Sequence, residues 1–192
     1  MCFGGSVLTS VKGFLTIDQL RMLIGEIDDL EFADLCLLSA YTGLRSGELI
    51  RLSWTKDIDN PEGFIRVDSR QKGKKEHRIP ITKKVRAILD RCKARAPGRS
   101  TVFRHMTTDY VTHKYKKYVR RVKLPDDIRF HDLRHTYGSF LAMKGHGEKT
   151  IQELMRHASI QSTLIYTKVS PEHLRKVAET LDYGPMPVGK KS

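Results

Sequence analysis

Long apolar runs are missing from this chain. No stretch of eighteen apolar residues occurs in its 192, so nothing in it reads as a membrane span. Cysteine is scarce: three occur, at positions 2, 36 and 92. Their spacing matches neither a metal site nor a disulfide framework, which indicates a reducing, cytoplasmic setting. The opening MCFGGSVLTS lacks the basic start and apolar core of a secretory signal. Residues 1–13 read as a linker or an artificial end, 14–183 as one domain large enough for a real core, and 184–192 as a basic tail. No internal repeat is present. Acid is the most unevenly missing component. Residues 70–123 hold nineteen Lys/Arg against three acids (Glu76, Asp90, Asp109), whereas residues 1–62 hold five against ten. The net charge of +13 is therefore concentrated in one block. Such a block is the footprint of a polyanion partner, with a solvated basic surface as the plainer alternative.

What is present reads as α+β, mainly α. Thr16 with Gln19 forms a capping-box signature ahead of Leu20, Leu23, Ile24 and Ile27. Glu31–Thr42 is apolar nearly all round, a buried helix, and Gly43 supplies the left-handed residue that ends it. Ser46 is the expected cap of the next helix, with Glu48 in its first turn. Arg45 then sits in a tight turn between two helices, either gripping an anion or touching nothing. Trp54–Asp59, Gly63–Asp68 and His77–Thr82 read as a small three-stranded antiparallel sheet. Arg70–Lys75 is a Lys/Gly loop that places Lys72, Lys74 and Lys75 at its tip. Thr82 caps a helix through Ala94. Thr107 or Thr108 caps another to Val122, in which Lys114, Lys117, Arg120 and Arg121 interleave with tyrosines, a pattern suited to DNA backbone contact. Ser170-Pro171-Glu172 starts a last helix.

The densest chemistry lies in residues 130–169. His131 and Arg134 are i, i+3 at the start of a helical pattern (Leu133, Tyr137, Phe140, Leu141), so they share a face near a helix N-terminus. Arginine there grips a phosphate with two parallel hydrogen bonds. His131 and His135 also have the i, i+4 spacing of a zinc helix. Arg134 beside both rings opposes a divalent cation, and the blander reading is a capped core helix. His157 and Tyr166 are nine residues apart, on opposite sides of any straight helix. They meet only if the chain turns between them, and Ala158-Ser159 allows that.

His131-x-x-Arg134, then His157, then Tyr166, together resemble the tyrosine recombinase (phage integrase) family. Thr42-Gly43-Leu44-Arg45-Ser46-Gly47-Glu48-Leu49 is similar to the family's first-arginine motif. Gln71–Pro80 is similar to its lysine-bearing β-hairpin and selects Lys72 over Lys74. The resemblance runs from about Phe14 to Leu181, in order. One departure is Arg156, where the family has glycine before the second histidine.

The resemblance implies a helical catalytic domain, without the family's N-terminal DNA-clamping domain, as an excised fragment or single-domain variant. It implies a site-specific recombinase acting on double-stranded DNA through a 3′-phosphotyrosine, with Tyr166 as nucleophile. Arg45, Arg134 and His157 would stabilise charge, His131 would relay the phenol proton, and Lys72 would protonate the leaving 5′-oxygen. No metal or other cofactor is required. A homo-oligomer, a tetramer on DNA joined through the C-terminal segment, is implied as well. Type IB topoisomerases and telomere resolvases share this chemistry, and a non-catalytic basic DNA-binding module remains the alternative of another class.

Overall fold

The computed structural model describes residues 13–59, 61, 63–67, 77–156 and 171–187. Its elements are α1 (Ile17–Glu26), α2 (Leu30–Thr42), α3 (Ser46–Leu49), a π-helical turn (Trp54–Ile58), β1 (Phe64–Val67), β2 (His77–Pro80), α4 (Lys83–Arg95), α5 (Thr108–Arg121), α6 (Asp132–Met143), α7 (Glu148–Met155) and α8 (Pro171–Glu179). None of these helices is long and apolar enough to cross a membrane.

α2 is the axis. Its residues from Glu31 to Thr42 are all buried, and it packs against α1, α3, α4 and α6. The apolar surround seen in the sequence is thus satisfied by neighbours on every side. Asp29 caps its start, accepting from the N–H groups of Glu31 and Phe32 at 3.1 and 3.2 Å. Gly43 closes its end at φ 64°, with its N–H bonded to the Ser39 carbonyl at 2.8 Å. A Cβ there would come within 2.8 Å of the Tyr137 ring, so glycine is required by both conformation and space. The Thr16–Gln19 capping box of α1 forms as expected. Thr82 and Thr107 cap α4 and α5 through bonds from Val85 and Tyr110. At α3 the expectation fails. Ser46 lies inside the helix and Arg45 occupies the cap position, where the Glu48 carboxylate reaches back to the Arg45 N–H at 2.8 Å.

The sheet among the described residues has two strands, not three. β1 and β2 pair antiparallel, Phe64 opposite Pro80 and Val67 opposite His77. Trp54–Asp59, expected as a strand, is mostly the π-helical turn. The reason is legible afterwards. Its two apolar residues, Trp54 and Ile58, are four apart and both buried, which is a helical rather than an alternating period. Asp57 fastens the turn by accepting from the Ser53 N–H at 2.8 Å.

The C-terminal segment lies on its own chain. The Tyr183 ring is buried against Tyr41 and Phe140, and its hydroxyl donates to the Ala40 carbonyl at 3.0 Å. Arg21 of α1 grips the Tyr183 carbonyl with two bonds of 3.1 and 2.7 Å.

Candidate active site

Arg134 is set by the apolar face of α6. Leu133, Tyr137 and Leu141 turn that helix inward, and Arg134, on the same side, is 1 % exposed. Its guanidinium donates to the carbonyls of Gly43 and Met155. Those residues close α2 and α7, so the negative ends of two helices converge on one cation. This differs from the expected open pairing with His131. His131 occupies the N-cap position of α6, without a side-chain capping bond, and is exposed, while Arg134 points into the protein. Burial, aided by the charges of Arg156 and Arg45, lowers the Arg134 pKa to about 10.

Arg45 is the outward member, with its side chain 47 % exposed. Glu48 holds it twice, through the backbone N–H at 2.8 Å and through Nη1 at 3.3 Å. Glu48 also accepts from Arg156 Nη2 at 2.9 Å, and the same Arg156 nitrogen donates to the Gly43 carbonyl at 3.3 Å. Arg156 ends α7 in the left-handed conformation, φ 54°, ψ 44°, which costs a non-glycine residue about 1–2 kcal/mol. So the residue that departs from the family pattern keeps the backbone shape glycine would give and adds a buried guanidinium. Burial by itself would raise the Glu48 pKa. The Arg156 charge, the Arg45 N–H and the Arg156 bond together hold it below the usual carboxylate value. Burial lowers that of Arg156, with Glu48 opposing.

His131 faces the same entrance. Partial burial, then His135, Arg134 and Arg45, depress its pKa below the ordinary 6.5. It is therefore neutral at neutral pH and able to accept a proton. The His131 and His135 rings meet edge-on, centroids 4.7 Å apart, and among the described residues no group of three metal-ligating side chains forms. Beside Arg45 and His131 opens a pocket of about 200 Å³, rimmed by Ser46, Thr112, Lys116 and Arg129. Hydroxyls and cations on such a rim suit a phosphate group.

The expected backbone-contact helix, α5, is largely occupied with internal acids. Lys114 reaches Asp29 at 2.5 Å and the Tyr110 hydroxyl at 2.9 Å. Arg121 lies 3.3 Å from Asp28 and 3.7 Å from Glu26, and Arg120 bonds Asp126 at 3.0 Å. Lys117 is exposed. The tyrosine side of α5 is core, with Tyr115 and Tyr118 buried.

The structure thus brings Arg45, His131 and Arg134 to one region. Lys72, Lys74, Lys75, His157 and Tyr166 lie outside the described residues. Sequence reasoning missed the burial of Arg156 and its bond to Glu48. The one signal was the non-glycine residue at a glycine position.

Two buried arginines, Arg134 and Arg156, and the half-exposed Arg45 thus gather where α2, α6 and α7 meet in a mainly helical domain. Its sequence matches the phage integrase family over residues 13–173, and the chain belongs to that family. It is 33 % identical over 169 residues to a tyrosine recombinase of Thermosipho africanus, an alignment covering 84 % of this chain and 59 % of that protein. The chain therefore spans about three fifths of the length of that curated relative. Among solved structures, the integrase of mycobacterium phage Brujita superposes with a TM-score of 0.72 at 26 % identity, over 94 % of this chain and 61 % of that one. The Tn1549 transposon integrase, solved in complex with circular intermediate DNA, shares the fold with a TM-score of 0.65 at 24 % identity, over 88 % and 65 %.

Proposed function

We propose that this chain is the catalytic part of a site-specific DNA recombinase that cuts and rejoins strands through a 3′-phosphotyrosine. The observation that carries the reading is the charge imbalance around Gly43. Three guanidiniums, Arg45, Arg134 and Arg156, gather there, and among the described residues Glu48 is the carboxylate paired with any of them. A DNA phosphate supplies the missing negative charge, and more of it develops in the transition state of attack on phosphorus.

In this mechanism the Tyr166 oxygen attacks a phosphodiester and displaces the 5′-oxygen. A phenol ionises near pH 10, so it needs a proton acceptor. His131, held neutral by its surroundings, is the candidate. Lys72 gives its proton to the departing oxygen, leaving a free 5′-hydroxyl and a protein–DNA ester. That ester keeps the bond energy, and attack by another 5′-hydroxyl rejoins the strand. Arg45 supplies charge from the outside. Arg134, tied to two helix ends, supplies a fixed field from behind, and His157 completes the set. Lys74, Lys75 and Lys117 are the backbone-contact candidates, with the chain acting as a homo-oligomer on duplex DNA.

The test is covalent trapping. Duplex DNA nicked beside the scissile phosphate should leave a slow-migrating adduct on a denaturing gel. Tyr166→Phe should form none while keeping its DNA affinity. An adduct that survives the substitution assigns the nucleophile elsewhere, and DNA binding with no wild-type adduct supports the non-catalytic module.

A further inference from the structure

At position 156 the backbone has the left-handed shape that glycine adopts freely, and the chain supplies arginine. The side chain is 3 % exposed, in a region already holding the guanidiniums of Arg45 and Arg134. Backbone strain and like-charge crowding both weigh against arginine there. Its contacts indicate what offsets them. Nη2 donates to Glu48 Oε2 at 2.9 Å and to the Gly43 carbonyl at 3.3 Å, while Nε is buried without a hydrogen-bond partner. Glu48 in turn holds the Arg45 N–H at 2.8 Å and its Nη1 at 3.3 Å. The charged groups facing Glu48 are thus Arg45 and Arg156, with Arg134 behind.

A carboxylate at this place has two opposed effects. It shapes the Arg45 turn, and it competes with an incoming phosphate for the Arg45 guanidinium. A cation that engages the carboxylate from the protein side weakens the competition and keeps the turn. We infer that Arg156 is a positioning residue for strand cleavage: it draws off the charge of Glu48, so that Arg45 stays shaped by Glu48 yet open to a DNA phosphate. The inference rests on the cleavage reading above. Arg156 itself touches no reacting atom in it.

Arg156→Gly is the informative change, because glycine relieves the left-handed strain and removes the guanidinium with its bonds to Glu48 and the Gly43 carbonyl, and the double variant with Glu48→Gln separates the two. With nicked DNA, and at a temperature where thermal unfolding shows both proteins folded, the variant should form adduct roughly tenfold more slowly than the wild type, the scale of one charge-assisted bond. Adding Glu48→Gln should recover most of that loss, since the amide oxygen still accepts from the Arg45 N–H but carries no charge. A readout free of DNA is the titration of the Glu48 carboxyl, followed by NMR. Its midpoint should rise in Arg156→Gly. Wild-type adduct rates in Arg156→Gly overturn the inference, and so does a slow variant that Glu48→Gln leaves slow. If the wild-type chain itself forms no adduct, the cleavage reading fails. The Glu48 midpoint then decides alone, and an unmoved midpoint overturns the role given to Arg156.

Discussion

Two sets of basic side chains, mostly arginines, share charge and differ in company. Along α4, α5 and the segment between them, Arg91 and Arg95 meet Asp34, Arg99 meets Glu31, Arg104 meets Glu31 and Asp29, Lys114 meets Asp29, and Arg121 meets Asp28 and Glu26. Around Gly43, Arg45, Arg134 and Arg156 share Glu48 and two backbone carbonyls. The first set is nearly matched charge for charge and binds helices together. The second is not. A buried cation without its full counter-charge is costly, and the fold carries that cost where an anion is expected to arrive. The contrast also reinterprets the composition. The acid-rich N-terminal third folds onto the basic block and answers part of it, so segregation of charge along the sequence overstates the charge facing solvent.

The contrast is broken most severely at Arg134. Arg134→Ala removes the cation that joins the ends of α2 and α7. Cleavage should fall by about a hundredfold or more, and stability by roughly 2–4 kcal/mol as buried carbonyls lose their donors, measured by urea denaturation. Arg134→Lys should not restore cleavage, because one ammonium cannot span both carbonyls. A lysine variant with wild-type rate would show that the two-pronged grip is unnecessary. Arg45→Ala sharpens the contrast from the outside. It should also cost about a hundredfold in adduct formation. Its stability should change by less than about 1 kcal/mol, as for other exposed pairs. A large drop in Tm would make Arg45 a structural residue.

A change in the matched set should do the reverse. Asp29→Ala takes an acid from Lys114 and Arg104, leaving Arg104 with Glu31, and removes the cap of α2, so stability should fall by about 1–2 kcal/mol. Non-specific DNA affinity should rise, and the plot of log K against log salt should steepen by about 0.9 for each phosphate newly contacted. An unchanged slope would mean that this face never meets DNA. The smallest effect belongs to His131. Its folded pKa lies below the ordinary 6.5, so between those two values the unfolded chain binds the extra proton and the folded one does not. Its contribution to stability is present above 6.5 and is lost as pH falls towards the lowered value. Comparing wild type with His131→Asn in denaturation across that window should show the wild type losing slightly more. Equal losses would mean that the ring titrates normally.

What the sequence disclosed was local. Thr16, Thr82, Thr107 and Gly43 act within a few residues of themselves, and caps and helix ends followed from them. The strand expected at Trp54–Asp59 failed because Trp54 and Ile58, its buried apolar residues, stand four apart, a helical spacing. The positions of Arg45, His131 and Arg134 were legible from their motifs. The inward turn of Arg134 was not, because it depends on carbonyls at Gly43 and Met155, 91 and 21 residues away. Nor was the paired state of Lys114, Arg120 and Arg121, whose partners lie in other elements or the following loop. Spacing specifies which side chains share a helix face. It does not specify which distant backbone or acid that face will meet.

The grip of Arg21 on the Tyr183 carbonyl closes a loop of 162 residues. During synthesis at about 5–20 residues per second, Tyr183 is made roughly 8–30 s after Arg21. Until then the faces of α2 and α6 that receive its ring, at Tyr41 and Phe140, stay without it. Contacts of such long separation slow folding. The nascent domain thus has an interval in which α2 and α6 have been made but that wall is open. Over that interval, a polypeptide carrying the other elements shows the apolar surface beside Tyr41 and Phe140 that the Tyr183 ring later covers.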